Sequence, residues 1–234
     1  LEMAEERIAE RIDANLLDVT MEDLHDMPQQ LYDGKIKKLR EKTQGQLIIK
    51  EYPTASAHSG HFKSLINELA LKKSFRPDVI FIDYLNICAS SRFKGGNISS
   101  YFYVKAIAEE LRGLAVETNV PIFSATQTTR TGYVSTDIGL EDTSESFGLP
   151  ATADFMFALI SNEELEALGQ MKVKQLKNRY NDPSINRAFI VGVDRSKMRL
   201  YDVQQKAQEI VDANQVDEKE DAYNKFSDFK LWNT

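Results

Sequence analysis

Two groups of residues in this sequence have the types and the spacing to do chemistry. In the first, Asp83 follows the apolar run Val79-Ile80-Phe81-Ile82 and precedes Tyr84-Leu85-Asn86-Ile87. An apolar run without polar alternation reads as a strand buried on both faces, as in the middle of a parallel sheet. A carboxylate inside it has to be hydrogen-bonded, paired or near a cation, because an isolated buried charge costs more than a domain's net stability. Ligands of open α/β sheets sit at the carboxyl ends of such strands. Asp83 is therefore either a structural acid satisfied by backbone donors or the acid that holds a nucleotide-bound magnesium ion through water. The second group is Lys177 and Arg179, at the end of the strand-like stretch 172–177. Residues two apart on a strand project to the same side, so the two cations stand together while Asn178 faces away.

The elements that must position these residues follow from hydrophobic periodicity. Residues 4–17 read as a helix with Ile8, Ile12 and Leu16 on one stripe, and 46–52 as a short strand closed by Pro53. Residues 61–73 form a helix burying Phe62, Leu65, Ile66 and Leu69. His58 and His61 have metal-like spacing, but no cysteine or third histidine accompanies them, which favours a helix-start role. The clearest helix begins at a Ser99 or Ser100 cap and carries Val104, Ile107, Ala108, Leu111, Leu114 and Ala115 at helical spacing. After Pro121, residues 122–127 read as a second buried strand that finishes in polar Thr126 and Gln127. A third buried strand spans 153–160, a short acidic helix 162–168, and a hairpin 187–203. This order predicts an α/β fold, a mostly parallel sheet flanked by helices with an antiparallel hairpin at its edge.

Bulk properties narrow the classes of function. The chain has 234 residues, 42% hydrophobic and 28% charged, with a net charge of −7. No apolar run approaches the ~18 residues of a membrane span, and the expected location is cytoplasmic. Cys88 is the only cysteine, so neither a disulfide framework nor a cysteine-based zinc site exists within one chain. Residues 1–33 carry ten acids and two bases, residues 204–234 seven acids and four bases, and the middle 19 acids and 23 bases. The acidity thus lies at the two ends. Between residues 92 and 105, Arg92, Lys94 and Lys105 stand without an acid among them, the first two on a glycine-containing loop, 89–98, which permits a polyanion contact. A second loop, 128–142, carries Arg130; long loops in compact domains are often functional. Residues 204–234 form an acidic tail in which Phe226, Phe229 and Trp232 recur every third residue, as a frayed end or as a short helix docking on a partner.

In order, an acid at Glu2, Asp83 in a central strand, a polar strand end at Gln127 and the pair Lys177 and Arg179 resemble the RecA-like core of the DnaB-type replicative DNA helicases, most closely those of T-even-type bacteriophages. Leu1-Glu2-Met3 is similar to the family's Ser-Leu-Glu-Met motif, and Ile82-Asp83-Tyr84-Leu85 to its Val-Asp-Tyr-Leu strand. The helix stretch 104–111 and the phrase from Glu145-Ser146 to Ala153-Asp154 resemble the phage proteins as well, so that the likeness covers 1–203. The resemblance implies ATP and Mg2+ as cofactors. It implies Glu2 as the general base for the attacking water, Asp83 as the magnesium acid, and Gln127 as the sensor that couples the γ-phosphate to the loop after it. Lys177 and Arg179 match the family's Lys-x-Arg, which reaches into the neighbouring subunit's nucleotide. Arg92, Lys94 and Arg130 become the candidates for single-stranded DNA, and the implied assembly is a homo-hexamer that works with a primase and a helicase loader, with no membrane.

One departure is plain. The family's phosphate loop, Gly-x-x-x-x-Gly-Lys-Ser/Thr, is absent; the only Gly-Lys is Gly34-Lys35, followed by Ile36. The expectation is a chain cut short upstream of its Leu-Glu-Met motif, lacking the first strand and hydrolysing ATP negligibly on its own. Two other readings stay open: a RecA-type recombinase, which shares fold and nucleotide logic, and an ATPase-like module that only binds partners.

Overall fold

A computed structural model describes residues 3–93, 98–128, 139–140, 148–182, 185 and 187–203. Seven α-helices appear among them: α1 (Glu5–Leu17), α2 (Met21–His25), α3 (Gln29–Lys42), α4 (Ser59–Lys73), α5 (Ser100–Thr118), α6 (Gly148–Thr152) and α7 (Glu163–Ala167). The six described strands are β1 (Ile80–Ile82), β2 (Ile122–Ser124), β3 (Phe155–Ile160), β4 (Gln170–Asn178), β5 (Ala188–Asp194) and β6 (Arg199–Asp202). β1 and β2 pair in parallel, Ile80 opposite Ile122 and Ile82 opposite Ser124. β3, β4, β5 and β6 form an antiparallel sheet in that order. The α/β class and the 187–203 hairpin hold, and the antiparallel part extends beyond the hairpin to take in β3 and β4.

The core lies between the parallel pair and the helices α4 and α5. Phe62 of α4, Ile82 of β1, Leu85 and Cys88 after it, and Val104, Ile107, Leu111 and Leu114 of α5 form one buried cluster. Each large apolar side chain removed from water there contributes about 1.5–3 kcal/mol. Burial pushes the Cys88 thiol up to about 11. α5 ends at Asn119, whose left-handed φ of 55° lets its N–H reach back to the carbonyls of Ala115 and Val116. Its N-cap is Ser99, whose hydroxyl makes no capping bond among the described residues. His58 and His61 do serve a helix start: His58 Nδ1 accepts from the Gly60 N–H at 3.0 Å, and His61 Nδ1 accepts from the His58 N–H at 3.2 Å.

Several expectations need correction. The strand holding Asp83 is three residues long and is not buried on both faces. Ile82 is in the core, but Phe81 is 73% exposed and stacks on Phe123 of β2, 49% exposed, with ring centroids 5.3 Å apart. Asp83 itself lies just past β1 and is exposed. β3 is likewise buried on one face only, with Ala158 and Ile160 inward and Phe155, Phe157 and Leu159 outward. The stretch 46–52 is not a strand: the Glu51 N–H donates to the Glu5 carboxylate at 2.7 Å and Lys50 pairs with the same acid, so α1 takes up a backbone group that a ladder would use. α2, α3 and α6 had no counterpart in the sequence reading. α3 carries Tyr32, Ile36 and Leu39 at helical spacing, but buries none of its residues fully.

The amino-terminal helices are tied to the far edge of the antiparallel sheet. Asp18 pairs with Lys197 at 3.2 Å and Arg199 at 3.0 Å, and these cations hold its carboxyl below the usual carboxylate range. Asn15 Nδ2 donates to the Met198 carbonyl, and the Met21 N–H to that of Ser196. In the β5–β6 hairpin Gly192 faces Tyr201, whose ring comes within 2.3 Å of where a Cβ would stand, so no larger residue fits there without displacing the ring. Among the described residues no helix is long and apolar enough to cross a membrane.

Candidate functional site

The parallel pair brings Asp83 and Gln127 together. Ile82 and Ser124 are opposite each other at the last rung, so the residues after them leave the sheet at the same end. Three bonds knit the two exits. Ser124 Oγ donates to the Ile82 carbonyl at 2.7 Å, the Leu85 N–H to the Ala125 carbonyl at 3.3 Å, and Thr126 Oγ1 to Asn86 Oδ1 at 2.9 Å. Gln127 Nε2 donates to the Tyr84 hydroxyl at 3.1 Å, next to Asp83 in sequence. Both Asp83 and Gln127 are exposed, on the carboxyl edge where a parallel sheet presents ligands. An exposed acid at such an edge is a suitable oxygen donor for a hydrated divalent cation, which keeps several waters and is held through one or two carboxylates.

The loop after this edge is anchored on α5. The Glu110 carboxylate accepts from the hydroxyls of Ser59, Ser90 and Ser91 at 3.1, 2.6 and 2.7 Å, and from the Ser91 N–H at 2.9 Å. Half-burial alone would raise its pKa, but these donors together bring it below the ordinary value. Arg92 pairs with Glu109 on the next position of the helix. A shallow cleft of about 330 Å³ runs alongside, lined by Lys63, Arg92, Glu109, Glu110 and Glu117 among others. Arg92 therefore sits over α5 at the base of the loop. Lys94 and Arg130, with most of the second loop, and Glu2 lie outside the described residues, as does the tail 204–234.

Lys177 and Arg179 stand at the end of β4, which pairs with the start of β3, and both side chains reach carbonyls of α6. Met156 pairs with Lys177 but Phe157 with Gln175, so Leu176 is an extra residue, a bulge of the kind that re-aims side chains. Lys177 Nζ donates to the Pro150 carbonyl at 2.5 Å. Arg179 NH1 donates to Asp154 Oδ1 at 2.9 Å and NH2 to the Ala151 carbonyl at 3.1 Å. Arg112, from α5, pairs with the same Asp154 oxygen at 2.7 Å and donates to the Thr152 carbonyl at 2.8 Å. Three cations thus converge on one carboxylate and three successive carbonyls. Desolvation, then Arg179, with Arg112 a smaller contributor, pushes the Lys177 ammonium below its usual value against the pull of Asp154. The side chains of Arg179 and Asp154 are 44% and 34% exposed, so their pair contributes about 0–1 kcal/mol to stability.

Sequence reasoning found Lys177 and Arg179 but not Arg112, Asp154 or Glu110. Their partners lie 18 to 51 residues away, beyond any local period. The one available signal was the phrase ending in Ala153-Asp154.

This arrangement places the chain first in a class. A solved ATPase domain superposes with a TM-score of 0.70 over 87% of this chain and 72% of its own, at 16% identity. A DnaB-like replicative helicase described with its interactions with primase gives 0.67 over 87% of this chain and 49% of its own, also at 16% identity. The fold is RecA-like.

The family follows from sequence: the DnaB-like helicase C-terminal domain matches residues 1–182, and the chain belongs to that family. A DnaB-like replicative helicase of Enterobacteria phage T4 is 44% identical over 96% of this chain. A probable plasmid replicative DNA helicase of Chlamydia trachomatis is 36% identical over 56% of it. The chain spans about half, 49%, of the phage relative and 28% of the chlamydial one.

Proposed function

We propose that this chain is the nucleotide-handling half of a ring-forming replicative helicase, an ATP- and Mg2+-dependent motor that translocates along single-stranded DNA and unwinds duplex at the fork. The observation that carries it is the exit of Asp83 and Gln127 from the same end of adjacent parallel strands, with Gln127 hydrogen-bonded to Tyr84, the residue after Asp83. In this reading Asp83 holds magnesium through water and Gln127 senses the γ-phosphate at the mouth of the loop that follows. A bound metal would supply charge neutralisation on the phosphates. Glu2 orients the attacking water. Lys177 and Arg179 complete the site of the adjacent subunit in a homo-hexamer, where a guanidinium facing the γ-phosphate stabilises charge that develops in the transition state. Arg92, Lys94 and Arg130 hold the DNA backbone, a sequence-independent contact that weakens with salt.

Residues 1–203 form the motor core, and the acidic 204–234 tail is a separate appendage. The phosphate loop is not in this sequence, so the chain alone turns over negligible ATP. A primase and a loader are the expected partners in the cytoplasm, that of the host if the protein is phage-encoded.

The test uses the full protein that carries this chain together with a phosphate loop. Subunits with Arg179→Ala, whose turnover falls about 10³- to 10⁵-fold, and subunits with Glu2→Gln, each crippled alone, are mixed. A mixed ring places an intact Glu2 and an intact Arg179 at one interface, so ATP hydrolysis should return. No recovery in verified mixed rings would refute the trans assignment.

A further inference from the structure

The corner around Arg179 is built more elaborately than its stability requires. The backbone N–H of Arg179 donates to the Asp154 carbonyl at 2.9 Å, so strand and side chain are fixed to the same residue. Its guanidinium is then held in two further places, by Asp154 Oδ1 and by the Ala151 carbonyl. These bonds engage two of its five N–H donors with described residues, leaving the planar fork able to meet an oxyanion. Arg112 reaches the same Asp154 oxygen from α5, and Lys177 rests on the neighbouring carbonyls of Pro150 and Ala151.

A simple helix cap would not need this. Cations at a helix carboxyl end are favourable, but α6 has five residues, and three cations there repel one another around a single acid. That repulsion opposes the folded chain, and the attraction of an arriving anion to the cations offsets it. A long, flexible side chain pays rotamer entropy when it docks, and anchoring it beforehand removes that cost from the moment of reaction.

We propose that Asp154 is a positioning residue for Arg179: supported by Arg112, it fixes the guanidinium, with Lys177 resting on α6 beside it, in the attitude presented to a phosphate group. The proposal rests on the reading of Arg179 as a trans-acting group and adds the residues that aim it. Asp154 touches no substrate in this scheme. Arg112 links the device to α5, the same helix that anchors the loop after β1.

The experiment is a double-mutant cycle on the full protein, reading kcat and KM for ATP separately, with thermal melting as the check on folding. Asp154→Asn keeps the shape and removes the charge. Misaiming of about 1 Å costs up to ~10²-fold in rate, so kcat should fall by about that factor while KM stays where it was. In an Arg179→Ala background the same change should cost nothing more, because its only route to the chemistry is gone. Asp154→Glu, which retains the charge on a longer arm, should give an intermediate loss with Arg179 present and none without it, and serves if the Asn variant fails to fold.

An unchanged kcat in Asp154→Asn, or the same loss with and without Arg179, overturns the positioning role while the Arg179 reading stands. An Arg179→Ala protein of normal kcat overturns both.

Discussion

At the end of the parallel pair, Asp83 and Gln127 are exposed just past three-residue strands, and the side chain of Gln127 donates to the Tyr84 hydroxyl. At the end of the antiparallel sheet, Lys177 and Arg179 are bound by Asp154, by successive carbonyls of α6 and by a strand bulge. The first corner resembles a site that is completed by what binds to it. The second is finished before anything binds. A group that must follow a nucleotide through its cycle is better left adjustable. A group that must meet charge at one instant is better fixed, because reorganisation at that instant would add to the barrier. α5 stands between the two, anchoring the loop of the first corner through Glu109 and Glu110 and the second through Arg112.

The largest effect should come from the rigid corner. Arg179→Lys in the full protein should lower kcat about as far as Arg179→Ala, in the range of roughly 10³ to 10⁵. A point charge cannot reproduce the planar fork or its bond to Ala151. Near-normal steady-state turnover of the Lys variant would mean that charge alone matters there and that the rigid geometry is incidental.

Loosening the link between loop and α5 should have a middling effect. Glu110→Gln removes a charged acceptor whose hydrogen bonds are each worth about 1.5–3 kcal/mol. Single-stranded DNA affinity, measured by anisotropy, should weaken by about tenfold if one such bond's worth of order is lost from residues 90–92. Because the folded-state pKa of Glu110 is depressed, its contribution is fully present above the unfolded value of 4.5 and is lost as pH falls through the lower folded one. Melting of wild type and Glu110→Gln should therefore converge at acidic pH. Curves that stay parallel down to strong acid would contradict the anchoring.

The open corner should be the most forgiving. Tyr84→Phe removes one exposed hydroxyl acceptor, a loss of about 0.5–1.5 kcal/mol. DNA stimulation of ATP turnover should drop by severalfold, with little change in turnover without DNA. A collapse of both would show that the parallel end is as constrained as the antiparallel one.

Much of this was readable in the sequence, for reasons that also mark where it stopped being so. α5 announces itself because Val104, Ile107, Leu111 and Leu114 all face one core. The hairpin β5–β6 and the acidic α7 with its Asn162 cap follow local rules of the same kind. Val79, Phe81 and Ile82 look like core residues and make Asp83 read as buried, yet a sheet face can leave a phenylalanine largely in water. Residues 46–52 hold a short apolar run closed by Pro53 and read as a strand, but the Glu51 N–H is claimed by Glu5, 46 positions away. Of the proposed site, Asp83, Gln127, Lys177 and Arg179 stand out as polar residues at strand ends, and the resemblance to the helicase family supplies the roles proposed for them. Asp154, Arg112 and Glu110 were not, since a charge on a helix or turn looks the same whether it faces water or holds a loop.

Cys88 offers a clock. It is 2% exposed, directly beyond the turn that follows Asp83, and burial lifts its thiol to about 11. Only a thiolate attacks an alkylating reagent, so labelling at neutral pH has to wait for this part of the core to part. With no other thiol in the sequence, mass spectrometry should register one slow addition in buffer and a fast one in denaturant. Any molecule that binds the closed form stops the hands by mass action. A nucleotide gripped at the Asp83 edge would thus be timed by a sulfur atom that never touches it.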